Sequence, residues 1–192
     1  MLPISREDAL KLIAKYNQDG QYFIHFLESE AIMRELAARM GEDVEYWGML
    51  GLLHDIDWGI TKHDSREHLT KAPEILGQAG FDDEFVQAVL SHGYGWDCAG
   101  LKEKKREGKI EHALAAAETI TGLIHAYALI RGKKVSGMKV SGLKKKFKDK
   151  NFAAGVNRDI ILECEETGLT LDEFMQVSID AIKKIAKEVG LD

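Results

Sequence analysis

Residues 48 to 59 read GMLGLLHDIDWG, and this stretch constrains the fold more tightly than any other. Its first six residues are all Gly, Met or Leu, which marks a helix heading into a core, and His54, Asp55 and Asp57 follow without a break. An ionised carboxylate removed from water costs several kcal/mol unless something pairs with it. No Lys or Arg stands within one turn before Asp55. A bound divalent cation would neutralise Asp55 and also use the His54 imidazole. Successive helical positions diverge by about 100°, so both side chains reach one ion only at a helix end or kink. Gly59 and the polar run TKHDSREH predict that the helix ends there.

The rest of the chain reads as helix. Pro3 and Pro73 are the only prolines, so long uninterrupted helices are available. Ser5-Arg-Glu-Asp8 resembles a capping box, followed by Leu10, Ile13 and Ala14 as a buried stripe. Further helices are predicted from about Gln21 to Met40, with Gly41 as a left-handed C-cap, and from near Asp43 through Val44, Trp47, Leu50 and Leu53. Others run from roughly Ser65 to Gln78, kinked or restarted at Pro73, and from an Asp82 cap to His92. After a loop containing GYGWDCAG comes the longest helix, about Ile110 to Ile130. Ser141 opens a short basic helix, Asn157 starts another, and the Thr170–Glu173 capping box leads into an amphipathic helix ending near Gly190. KKVSGMKVSG is too glycine-rich for a strand. The expected class is all-α, a single domain over residues 1–192.

Four more residues give the His-Asp pair its weight. His25 lies among Phe23, Ile24, Phe26 and Leu27; His68 and His92 are expected in the next two helices; Glu118 interrupts the apolar HALAAAETITGLI. Asp57 is expected either to orient His54 or His25, as carboxylates beside metal-bound imidazoles do, or to cap a loop. His63 and His112 read as surface residues, and His125 as packed or exposed.

The order His25, His54-Asp55, His68, His92 resembles the HD-domain superfamily of metal-dependent phosphohydrolases, whose signature is H…HD…D with optional histidines between. The segment TGLIHAYALIRGKKVSGMKVSGLKKKFKDKNFAAGVNRDIILECEETGLTLDEF is similar to the C-terminal part of a subgroup of predicted hydrolases of that superfamily. The resemblance implies an all-α helical bundle, with a metal-binding core over about 20–130 and a C-terminal helical extension over about 131–192. It implies that His25, His54 and Asp55 bind a metal, with Glu118 in the place where the family has Asp, one methylene longer. His68 and His92 then bind a second metal, bind substrate phosphate, or cap their helices. Imidazole and carboxylate without thiolate suit Mn, Fe, Co, Ni or Zn, one or two ions. The implied activity is hydrolysis of a phosphomonoester or phosphodiester, on a nucleotide or another small phosphorylated metabolite, by a metal-activated hydroxide. Asp55 and Asp57 are the catalytic candidates. Two alternatives stand beside it: a di-iron oxygenase of the same superfamily, and a metal- or nucleotide-binding regulator without turnover.

Charge narrows the partners. The net charge is −6, yet residues 131–150 hold nine Lys or Arg against Asp149 alone, a local +8 that leaves −14 elsewhere. Such a patch suits a small anion better than a long nucleic acid, and no nucleic-acid partner is expected. Lys148, Lys150 and Arg158 are the candidate substrate-binding residues, closing over a phosphate; a solvated helix face with Leu143 and Phe147 buried explains the same pattern. Cys98 and Cys164 are too few and too far apart for a thiolate zinc cluster and fit a reducing compartment. With neither a secretory signal nor a membrane-spanning run expected, the anticipated location is cytoplasmic, free of membrane. The sequence leaves the oligomeric state open.

Overall fold

A computed structural model describes residues 2–17 and 20–192, and of Gln21 the backbone only. Among these residues there are helices and turns but no strand. The α-helices are α1 (Arg6–Tyr16), α2 (Gly20–Met40), α3 (Val44–Leu53), α4 (Trp58–Thr61), α5 (Ala72–Gln78), α6 (Asp83–Leu90), α7 (Lys109–Ile130), α8 (Val140–Lys148), α9 (Arg158–Leu162) and α10 (Leu171–Lys184). Single 3-10 turns occupy Ser65–Glu67, Ser91–Gly93 and Glu163–Thr167.

Local chemistry sets most of the boundaries. Ser5, Asp43, Asp82, Asn157 and Thr170 each accept a backbone N–H from the first turn of the helix they precede. Gly41, with φ of 73°, closes α2 in the left-handed conformation expected of it. Three expectations change. In α1 the fully buried residues are Ala9 and Ile13, and Ala14 faces solvent, because the inward stripe runs one position earlier. α10 ends at Lys184 and the chain continues in turns to Gly190. Residues 65–78 form no single helix: a 3-10 turn is followed by a break, and α5 restarts with Pro73 in its first turn, where the missing N–H costs nothing.

α7 is the central element and packs against α2, α3, α6, α8, α9 and α10. Ala113, Ala115, Ala116 and Ala117 are fully buried, and their small side chains let neighbouring helices close in from several sides. By length and composition α7 is also apolar enough to cross a bilayer, but much of that stretch is covered here by the other helices. α2 and α3 approach closely at Gly51, where an added Cβ would stand 2.6 Å from the Ser29 carbonyl oxygen. That approach brings His25 on α2 against His54 at the end of α3.

Candidate metal centre

α3 ends at Leu53 with His54 as its C-cap, so the His-Asp pair sits at a helix end as the divergence of adjacent side chains requires. The turn that follows is fixed from α1. The buried Asn17 donates from Nδ2 to the Ile56 carbonyl at 2.8 Å, and its Oδ1 accepts from the Gly59 N–H at 2.6 Å. A Cβ at Gly59 would lie 2.3 Å from the Tyr16 carbonyl oxygen, so only glycine fits against the end of α1.

His25 Nε2 and His54 Nε2 face each other at 3.0 Å. Their outer nitrogens fix what those inner atoms carry. His54 Nδ1 donates to the Gly51 carbonyl at 2.8 Å. Thr121 Oγ1 gives its proton to the Glu118 carbonyl at 2.6 Å and therefore accepts from His25 Nδ1, at 2.9 Å. In their neutral forms both rings thus turn a bare lone pair on Nε2 toward the other. His54 is held neutral: full burial drives its pKa down to about 3. Two lone pairs 3.0 Å apart do not bond to each other, and a cation between them satisfies both.

Asp55 joins this pair to a second one. Its Oδ2 lies 3.6 Å from His54 Nε2 and 3.7 Å from His25 Nε2. Its Oδ1 lies 3.1 Å from His92 Nε2 and 3.3 Å from His68 Nε2, and those two nitrogens are 3.2 Å apart. His92 Nδ1 donates to the Val89 carbonyl at 2.7 Å, so its neutral ring too leaves Nε2 bare. Two triads result, His25–His54–Asp55 and Asp55–His68–His92, each with its ligand atoms within 4.8 Å of one another, and Asp55 belongs to both. The donor set of imidazole nitrogen and carboxylate oxygen suits first-row transition ions. Burial opposes the charge on Asp55, but the bond from the charged His68 works against it, and the carboxyl lies well below its ordinary range.

His68 is not on a helix, as expected from sequence, but at the end of the 3-10 turn Ser65–Glu67. Asp57 explains why. Its buried carboxylate accepts from the N–H groups of Leu69 at 3.2 Å, Lys71 at 3.0 Å and Ala72 at 3.2 Å, which caps α5 and bends the chain through Leu69 at φ of 67°. Asp57 Oδ1 also stands 3.4 Å from the buried His68 Nδ1, which has no hydrogen-bond partner. The positioning carboxylate anticipated for His54 or His25 therefore faces His68. Burial works against a charge on this ring, yet the carboxylates of Asp55 and Asp57 raise its pKa to about 10.

Glu118 reaches the same cavity from α7, with Oε2 4.0 Å from His25 Nε2, beside the triads but in neither. Its Oε1 accepts from Thr119 Oγ1 at 2.5 Å, and burial raises its pKa.

Lys148, Lys150 and Arg158 do not line this cavity. Lys148 and Lys150 are exposed. The Arg158 guanidinium donates to the carbonyls of Phe147, Asp149, Phe152, Ala153 and Val156, the last two at 2.6 Å, and so ties down its own loop. What the extension contributes instead is cavity wall, from Gly155, Val156, Asn157 and Ile160.

Nothing in the charged run KEKKREGK distinguishes Arg106 from its neighbours. It is nearly buried, grips Glu163 with two bonds of 2.6 Å, and donates to the carbonyls of Ser91, His92 and Tyr94. The turn carrying His92 is thereby fastened to the C-terminal extension. His112, expected at the surface, is only 15% exposed and shares Glu163 at 2.8 Å. His125 pairs with the buried Glu28, also at 2.8 Å, and His63 is a surface residue paired with Glu67.

A family model, the HD domain, matches residues 22–128, more than half of the chain. Among curated proteins the chain is similar to Ribonuclease Y 2 of Levilactobacillus brevis, 25% identical over 119 residues, which are 60% of this chain and 21% of that protein. The chain thus spans about a fifth of that relative's length. No solved structure matches it significantly.

Proposed function

The chain belongs to the HD-domain family, a superfamily of metal-dependent phosphohydrolases, and from that premise we propose that it hydrolyses a phosphate ester of a nucleotide or a similar small metabolite. The observation that carries this reading is the facing pair of bare Nε2 atoms of His25 and His54, 3.0 Å apart, with Asp55 shared between them and His68–His92. A set in which one carboxylate belongs to two imidazole pairs favours two ions.

His25, His54 and Asp55 would hold one ion, and Asp55, His68 and His92 the other. Such ions, when bound, polarise phosphoryl oxygens and lower the pKa of coordinated water. The chain's own residues do the positioning. Gly51 and Val89 carbonyls and the Thr121 hydroxyl fix the tautomers of His54, His92 and His25, so the nitrogen each presents to the cavity is a lone pair. Asp57 orders the His68 turn through three backbone N–H groups. Glu118 reaches the cavity wall from α7, 4.0 Å from His25 Nε2, and would stand beside the ion held there.

Metal content per chain, measured on protein purified without added metal or chelator, tests the site. One or two transition ions in the native protein and none in Asp55→Ala support it; a native protein that takes up no divalent ion refutes it. Release of inorganic phosphate from a panel of monoesters and diesters tests the chemistry. The same ligand set would serve a di-iron oxygenase, which iron content together with oxygen uptake would reveal.

A further inference from the structure

The cavity over the two triads has a volume of about 520 Å³, within the range typical of small-molecule sites. No Lys or Arg is among its described lining residues. The arginines around it are held elsewhere: Arg66, next to the lining Ser65, by Asp64 at 2.7 Å, Arg106 by Glu163, and Arg158 by backbone carbonyls. The lining carries three carboxylates, Asp55, Asp97 and Glu118. Positive charge within the lining must then come from the bound ions, and Asp97, within electrostatic reach of Arg66, adds a further carboxylate there.

Trp96 is the second observation. Its indole lines the cavity and is 50% exposed, a large apolar surface left in water. The loop that carries it is stiff. Trp96 N–H donates to Gly93, Gly95 to Leu101, Cys98 to Trp96 and Leu101 to Cys98, all within 3.2 Å, and Ala99 N–H donates to the Arg66 carbonyl of the 65–67 turn. A ring carried on a loop with this many backbone hydrogen bonds needs little backbone ordering when a flat ring covers it. Trp58, Val156 and Ile160 supply further apolar lining.

We propose that the site selects a substrate bearing a single phosphoryl group on a flat, uncharged ring system, that Trp96 stacks on the ring, and that Asp97 with the cation-free lining rejects polyphosphates. This rests on the phosphohydrolase reading above for the placement of the phosphoryl group at the triads.

The test uses the full chain loaded with Mn²⁺ and three probes, AMP, ribose 5-phosphate and ATP, followed both by calorimetric binding and by phosphate release. AMP is expected to bind about tenfold more tightly than ribose 5-phosphate, the usual worth of one aromatic stack, and also more tightly than ATP. Trp96→Ala brings AMP down to the level of ribose 5-phosphate, and Asp97→Lys narrows the gap between AMP and ATP. Both side chains are exposed, and an unchanged helical circular-dichroism signal certifies the fold of each variant. Equal or tighter binding of ATP or ribose 5-phosphate overturns the proposal, as does an AMP affinity indifferent to Trp96→Ala. Selective AMP binding without phosphate release overturns the monoester form of the hydrolase reading and leaves the selectivity standing. Release from all three probes with equal efficiency does the reverse, and no binding of any probe ends both.

Discussion

Arg106 and Glu163 stand 57 positions apart in the chain and meet in a two-pronged pair, both bonds at 2.6 Å. The third nitrogen of the same guanidinium holds the carbonyls of Ser91, His92 and Tyr94, so one side chain joins the His92 turn to the C-terminal extension. Arg106→Ala leaves Glu163 with His112 as its remaining partner and takes the donor from three carbonyls, and a loss of about 1–3 kcal/mol is expected. Chemical denaturation measures it. Metal analysis on the still-folded variant should show a selective loss from the Asp55–His68–His92 triad.

Glu163 itself sets an acid limit. Burial opposes its ionisation, but the bonds from Arg106 and His112 prevail and place its pKa below the ordinary glutamate value. With the folded-state pKa depressed, the stabilisation is full above that ordinary value and is lost as pH falls through the folded one. Stability measured against pH between neutrality and pH 3 should therefore fall more steeply in the native protein than in Glu163→Gln.

His125 gives the opposite slope. Its bond to the buried Glu28 raises its pKa above the ordinary histidine value, against the effect of burial. Stabilisation is complete below that value and disappears as pH rises through the folded one. His125→Gln should lose stability at pH 6 and flatten the decline on the alkaline side, which thermal unfolding at several pH values reads directly.

Metal uptake must displace a proton from His68, whose pKa of about 10 leaves it charged at neutrality. Filling the second triad at pH 7 should release about one proton, and affinity there should weaken as pH falls. Titration calorimetry in two buffers of different ionisation enthalpy counts the protons.

Gly51→Ala tests the contact that brings α2 to α3. The added methyl would meet the Ser29 carbonyl at 2.6 Å, and backbone on both sides leaves little room to yield. A cost of about 1–3 kcal/mol is expected from overpacking, and because the Gly51 carbonyl also fixes the His54 tautomer, metal affinity should drop with it.

The sequence by itself determined the helical class and most helix starts, and it singled out the four histidines and the aspartate that the structure brings together in two triads. Capping side chains act on backbone two or three residues away, so Ser5, Asp43, Asp82, Asn157 and Thr170 were legible from local spacing. His25, His54, Asp55, His68 and His92 stood out because polar ligands interrupt apolar runs or follow them in a set order. Tertiary structure decided what no local pattern encodes. Asp57 left His54 and His25 for His68 because its carboxylate captures three N–H groups 12 to 15 residues downstream. Lys148 and Lys150 remained in solvent, and Arg158 turned inward to carbonyls of its own loop, whereas Arg106 left a run of similar charges to be buried. A long cationic side chain has many possible partners within reach, and the choice among them rests on desolvation and on the convergence of distant backbone, which exist only once the helices have packed.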